Sequence, residues 1–256
     1  MTPDSFQLAI LVLLGLAVGS FLNVCIHRIP LGQSLTLPPS RCPACEYQLR
    51  WFDNIPVASY ALLGGRCRKC RARISIRYPL VELATMALFV IHGEVFGWSA
   101  ILVPRLLFAC AMVVLFAIDL EHHLLPNVIT LPSIAIGLIS SAVLPPGFVD
   151  ALIGAALGGG VLWLIGEAYY RYSGQEGMGG GDVKMLAMIG AFLGWKLVLV
   201  TLVLSSVIGS VVGLFVILLK RGDMKYALPF GTFLAFAALV ASLAGDRIVN
   251  WYVSLY

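Results

Sequence analysis

Eight long apolar runs separated by short polar ones constrain this chain more than any other feature. They fall at roughly 6–26, 78–97, 99–118, 127–144, 149–170, 183–195, 197–219 and 228–249. About 20 apolar residues cross a bilayer as a helix. The run at 183–195 is the shortest and is expected to be tilted or partial. Only 12% of the 256 residues are charged and the mean hydropathy is +0.94, whereas a soluble domain averages about 25% charged residues. The chain is therefore read as an all-α polytopic membrane protein with about eight transmembrane helices. The chain carries Asp4 but no basic residue before its first run, and no A-x-A site follows, so the run is not expected to be a cleavable signal peptide.

Basic residues orient such a bundle, because loops rich in Lys and Arg stay in the cytoplasm. With eight spans, the loops at 27–77, 119–126, 171–182 and 220–227 share one side. Counting Lys184, that side holds 14 of the 17 Lys and Arg residues. Lys196 and Arg247 fall opposite, and Arg105 lies inside the third span. Both termini are then external. The net charge of +4 is accounted for by basic loops facing anionic lipid, and no nucleic-acid partner is expected.

Three regions follow: a first transmembrane helix at 1–26, a cytoplasmic domain at 27–77 and a seven-helix membrane domain at 78–256. The second contains Cys42-Pro-Ala-Cys45 and Cys67-Arg-Lys-Cys70, two C-x-x-C pairs separated by 21 residues. That spacing is expected of a structural zinc site with four thiolate ligands. A segment of about 50 residues buries little apolar surface, so a metal staple answers a stability problem. Disulfides are disfavoured in a reducing cytoplasm. A redox C-x-x-C pair remains an alternative, although such motifs usually open a helix in a thioredoxin-like unit. Cys25 and Cys110 read as buried apolar residues.

Two acids mark the ends of apolar runs. Asp182 closes Gly177-Met178-Gly179-Gly180-Gly181-Asp182, and Asp119 follows the third run. A carboxylate so close to hydrocarbon costs several kcal/mol and is rare without a role. Peptide hydrolysis needs a base for water and an acid for the leaving amine. Two carboxylates sharing a proton supply both. Glu121 is the alternative partner, two positions from Asp119. Glu121, His122 and His123 read as a solvated loop rather than a metal site. Leu125-Pro126-Asn127 reads as a turn with Asn127 as a helix N-cap.

The chain resembles the bifunctional prepilin peptidases, or type IV leader peptidases, throughout its length. The blocks that carry the resemblance are Gly19 through Pro30, Ser40 through Cys45, Asn54-Ile55-Pro56, Gly65 through Cys70 and Ile74 through Leu83. Asp119 through Pro132, Gly177 through Gly194 and Pro229-Phe230-Gly231-Thr232-Phe233 complete it. The resemblance implies an aspartic endopeptidase of the bacterial inner membrane with Asp119 and Asp182 catalytic. Gly179-Gly180-Gly181-Asp182 fits the G-x-G-D signature of intramembrane aspartyl proteases. The implied substrates are prepilins and pseudopilins of type IV pili and type II secretion, cut at the cytoplasmic face. The implied second activity is N-methylation of the freed residue with S-adenosylmethionine. No G-x-G-x-x-G loop locates that methyl donor. Asn127 departs from the family pattern, since many relatives carry Asp there.

Two other readings stay open on residues alone. A small transporter would use membrane acids as ion sites near the midplane. A thiol redox enzyme would cycle its C-x-x-C cysteines.

Overall fold

The computed structural model describes residues 3–175, 179–220 and 229–255. Gly177 and Met178 of the glycine block and nearly all of the loop expected at 220–227 lie outside them. The chain divides into two compact units, Met1–Leu102 and Val103–Tyr256.

The first unit contains α1 (Ser5–Arg28), a 3-10 turn at Trp51–Asn54, α2 (Ala58–Leu62) and α3 (Arg77–Phe96). Asp4 and Gln7 form a capping box that starts α1, through bonds of 2.7 and 3.1 Å. Helices α1 and α3 approach closely where Gly15 and Gly19 face Met86 and Glu82. A Cβ on either glycine would lie 2.6 or 2.7 Å from the opposing Cα. Small residues four apart are a common way to bring membrane helices together. Asn23 extends this seam by donating from Nδ2 to the Tyr78 carbonyl at 3.0 Å. Buried Glu82 accepts from the backbone N–H of Val57 at 2.7 Å, which joins the polar segment to α3.

The second unit is built from α4 (Leu102–His122), α5 (Asn127–Ser141), α6 (Phe148–Ser173), α7 (Gly180–Lys220) and α8 (Phe230–Val253). All elements among the described residues are helical apart from two isolated β-bridges in the first unit. Among the described residues, six helices are long and apolar enough to cross a membrane, and α5 is a shorter apolar helix. Helix α7 contains two of the expected runs. Its backbone leaves helical geometry at Gly194, with φ 79° and ψ 174°, a conformation open essentially to glycine alone. A Cβ on Gly158 of α6 would touch both Leu186 O and Val198 Cγ2. A continuous helix would hold those residues about 18 Å apart, so α7 folds back on itself at Gly194. The break expected at Lys196, between the runs 183–195 and 197–219, thus falls two positions earlier.

Neighbouring contacts set the directions. Gly137 of α5 meets Ala191 and Phe192, whereas Gly245 of α8 meets Leu197 and Gly209 meets Phe233. The segments therefore alternate, and one end of the unit carries the end of α4 and the starts of α5, α7 and α8. The core between them includes Phe108, Met112, Met185, Ile189, Phe192 and Leu234. Arg105 is buried in α4 within electrostatic reach of Asp246 on α8.

Two local expectations need correction. Helix α4 does not stop at residue 118 but runs through His122, because Asp119 finds a partner inside the bundle. Glu121 and His122 are therefore helical rather than loop residues. Helix α5 is capped by Pro126, with Asn127 its first helical residue. The Asn127 side chain is engaged by Lys184 instead, at 2.9 Å.

Candidate active site

Asp119 sits in the last turn of α4 and is 5% exposed. Its Oδ2 accepts two hydrogen bonds from Thr232, 2.7 Å from the backbone N–H and 3.1 Å from the hydroxyl. That amide belongs to the first turn of α8, where N–H groups lack partners within the helix. Gly231 makes the approach possible: a Cβ there would lie 2.9 Å from Asp119 Oδ2 and 2.9 Å from Leu125 Cδ1. After α4 the chain turns sharply. His123 adopts φ 51° and donates its N–H to the Asp119 carbonyl at 2.9 Å.

Asp182 lies in the first turn of α7, where its N–H donates to Gly179 O at 3.1 Å. Gly181 packs on Leu125, leaving 2.9 Å between an added Cβ and the leucine Cβ. The two aspartates line one cleft of about 290 Å³ with His123, Leu125, Asn127 and Lys184. Asp182 feels the charge of Asp119 across it. Lys184 Nζ and Asn127 Oδ1 join the starts of α7 and α5 at its edge. Glu121 does not line this cleft and faces His122 at 3.9 Å. A buried carboxylate and a partly buried one over one cavity are the equipment of acid–base hydrolysis.

The cysteines form a separate constellation in the first unit. Cys42, Cys45, Cys67 and Cys70 bring their sulfurs within 4.8 Å of one another. Both pairs are held by the same turn. Cys42 donates to Tyr47 O and accepts from Glu46, while Cys67 donates to Ala72 O and accepts from Arg71. Glu46 and Arg71 occupy equivalent left-handed positions, φ 56° and 61°. Bridges Arg41–Gln48 and Arg66–Arg73 close the two turns. The sulfurs of Cys42 and Cys70 are 3.8 Å apart, and those of Cys45 and Cys67 are 3.9 Å apart. A disulfide needs about 2.05 Å, whereas four sulfurs about 2.3 Å from a tetrahedral zinc ion stand about 3.8 Å apart. The donor set and its spacing fit zinc. Backbone N–H groups of Cys70 and Lys69 hold the Cys67 thiol down at about 6, which favours the thiolate that binds metal.

Sequence reasoning missed the roles of Thr232, Gly231, Leu125 and Lys184. The signal for the first two was present in Pro229-Phe230-Gly231-Thr232, a helix breaker followed by a small residue and a hydroxyl at a helix start.

Comparison with known proteins agrees with this architecture. Residues 13–96 match the Bacterial Peptidase A24 N-terminal domain, and residues 106–214 match the Type IV leader peptidase family. The chain is 40% identical over 266 residues to a prepilin leader peptidase/N-methyltransferase of Pseudomonas aeruginosa, covering 94% of this chain and 92% of that protein. A protein of the same name from Aeromonas hydrophila is 40% identical over 275 residues, covering 96% and 93%. One from Neisseria gonorrhoeae is 36% identical over 279 residues, covering 97% and 96%. No solved structure matches. With near-complete coverage at this identity, and an acidic cleft falling in the matched region, the chain belongs to the type IV leader peptidase family.

Proposed function

We propose that this protein is a membrane aspartyl endopeptidase that removes the basic leader from prepilins and pseudopilins, with Asp119 and Asp182 as its catalytic pair. One observation carries the reading: both carboxylates line the same cleft at one end of the second unit. Near neutral pH the pair holds one proton between its two members. The ionised carboxylate takes a proton from water, and the hydroxide so formed attacks the scissile carbonyl carbon. The protonated partner gives its proton to the carbonyl oxygen. Collapse of the tetrahedral species breaks the C–N bond: the amine nitrogen receives a proton from one carboxyl group, while a hydroxyl of the gem-diol returns its proton to the other carboxylate. The pair ends with one proton, as it began.

The freed α-amine is then N-methylated, with S-adenosylmethionine as the methyl-donating substrate. This activity rests on the names of the relatives. Cys42, Cys45, Cys67 and Cys70 hold a structural zinc ion. Four thiolates leave it no open position, so its chemistry is to close and rigidify the segment they belong to. The cleft opens at the cytoplasmic face, a reading supported by the basic residues on the loops of that side.

A transporter would place its acids near the midplane, yet Asp119 and Asp182 lie in terminal turns of their helices. Incubating the purified protein with a prepilin and measuring the mass of the product N-terminus tests cleavage and methylation in one spectrum. Loss of the leader mass with a methyl group added is expected. Asp119→Asn and Asp182→Asn should each leave the prepilin whole. Normal cleavage by either folded variant rejects the pair.

A further inference from the structure

Asp119 is the more enclosed of the two acids, and Thr232 is its partner. Both donors of this residue, the backbone N–H at 2.7 Å and the hydroxyl at 3.1 Å, converge on the same oxygen, Oδ2. Thr232 is itself buried, 5% exposed, so water does not compete with the contact. Gly231 closes the third side, its Cα bare against Oδ2 and Cγ of the carboxyl group. A carboxyl group has one rotation about its Cβ–Cγ bond, and two convergent donors on one oxygen remove it. Oδ2 is thereby occupied, and Oδ1 is the oxygen left for the cleft that Asp119 lines.

We infer that Thr232 is a positioning residue for hydrolysis, fixing the plane of the Asp119 carboxyl group so that Oδ1 alone addresses the reacting water. The inference rests on the proposed catalytic pair. It adds that α8, which carries no acid into the cleft, supplies the restraint that makes one of the two acids competent. The groups facing Asp119 are Thr232 from α8, His123 from the turn after α4 and Asp182 from α7. Only Thr232 bonds its carboxyl oxygens among the described residues. Positioning acts on reaction geometry rather than on substrate capture, and misplacement by about 1 Å is worth about 100-fold in rate.

The test compares Thr232→Val, which keeps shape and the backbone N–H but removes the hydroxyl, with Thr232→Ser, which keeps the hydroxyl. Asp119→Asn serves as the control for the pair. Full-length purified proteins are assayed for prepilin cleavage in detergent, with kcat and KM separated, and their melting temperatures are recorded. The expected result is a kcat about tenfold or more lower for Thr232→Val, with unchanged KM and melting temperature, and near-normal kcat for Thr232→Ser. If Thr232→Val cleaves normally while Asp119→Asn is inactive, the positioning role is overturned and the catalytic pair stands. If both Thr232 variants lose melting temperature and activity together, the residue serves folding and the inference is again overturned. If Asp119→Asn cleaves normally, the pair fails and the inference falls with it.

Discussion

Gly231 and Asp119 meet with no space for a side chain between them, and that contact predicts a mutant whose defect lies far in sequence from either acid. A methyl group at 231 would lie 2.9 Å from Oδ2 and 3.0 Å from Cγ of Asp119, and 2.9 Å from Leu125 Cδ1. Relief requires the carboxyl group to move. Gly231→Ala should therefore lower cleavage about 100-fold. Alanine is about 1 kcal/mol better than glycine within a helix, so the melting temperature should fall little. Rate and melting curve measured on one preparation separate these effects, and normal cleavage would show that the carboxyl group adapts. The acids themselves were legible in the sequence because an ionisable group at the edge of an apolar run is conspicuous. Gly231 and Thr232 were not, since both are neutral and Thr232 stands 113 positions from Asp119. Only packing reveals that they converge on one carboxyl oxygen.

At the scale of elements, the hairpin in α7 depends on one residue. Gly194 combines φ 79° with ψ 174°, and its Cα faces Pro146, where an added Cβ would come within 3.0 Å. Gly194→Ala should cost about 1–3 kcal/mol of stability, read as a lower melting temperature in detergent. An unchanged melting temperature would mean that the turn tolerates another conformation. The sequence showed two apolar runs here but placed the break at Lys196, because charge is easier to read than a backbone angle. The cysteine turns were legible in full, since two C-x-x-C pairs specify both the ligands and the spacing. A strong chelator under reducing conditions, or Cys67→Ser, should abolish stoichiometric zinc. Trypsin should then cut rapidly at the cluster Arg66, Arg68, Lys69, Arg71 and Arg73. Without the metal, the segment is held by a few polar contacts such as Val57–Glu82. Asp53 ties Arg68 at 2.7 Å, and this pair together with bonds from Arg50 and Tyr47 outweighs the effect of burial and keeps the Asp53 carboxyl below its ordinary range. Zinc-free protein that resists trypsin as well as the metal-loaded form does would rule out a stapling role.

For the whole molecule, the question is which side of the membrane the cleft faces, and the second unit contains enough to predict it. The end of α4 and the starts of α5, α7 and α8 share one end, as the Thr232–Asp119 and Lys184–Asn127 bonds require. The turn from α5 to α6 lies at the other. Helix α5 has 15 residues and the first limb of α7, residues 180–193, is similar, so each is only about 20–23 Å long. That is less than the roughly 30 Å of hydrocarbon in a typical bilayer, so the short pair sets the cleft close to the apolar layer, where a substrate helix can present a bond near its membrane boundary. Arg171 at the end of α6 and Lys184 at the start of α7 lie on the cleft side. In the sequence, Lys220, Arg221 and Lys225 come between the apolar parts of α7 and α8. Against them stand Arg105 near the start of α4, Lys196 just after the Gly194 turn and Arg247 in the last two turns of α8. Positive loops stay inside, so the cleft is expected to face the cytoplasm. Leu124, 45% exposed, and Val143, 84% exposed, report the two ends. In intact cells a membrane-impermeant thiol reagent should label Val143→Cys, and it should reach Leu124→Cys only after permeabilisation. The opposite pattern would place the acids on the outer face, where the basic loops could not have been retained by the rule that orients them.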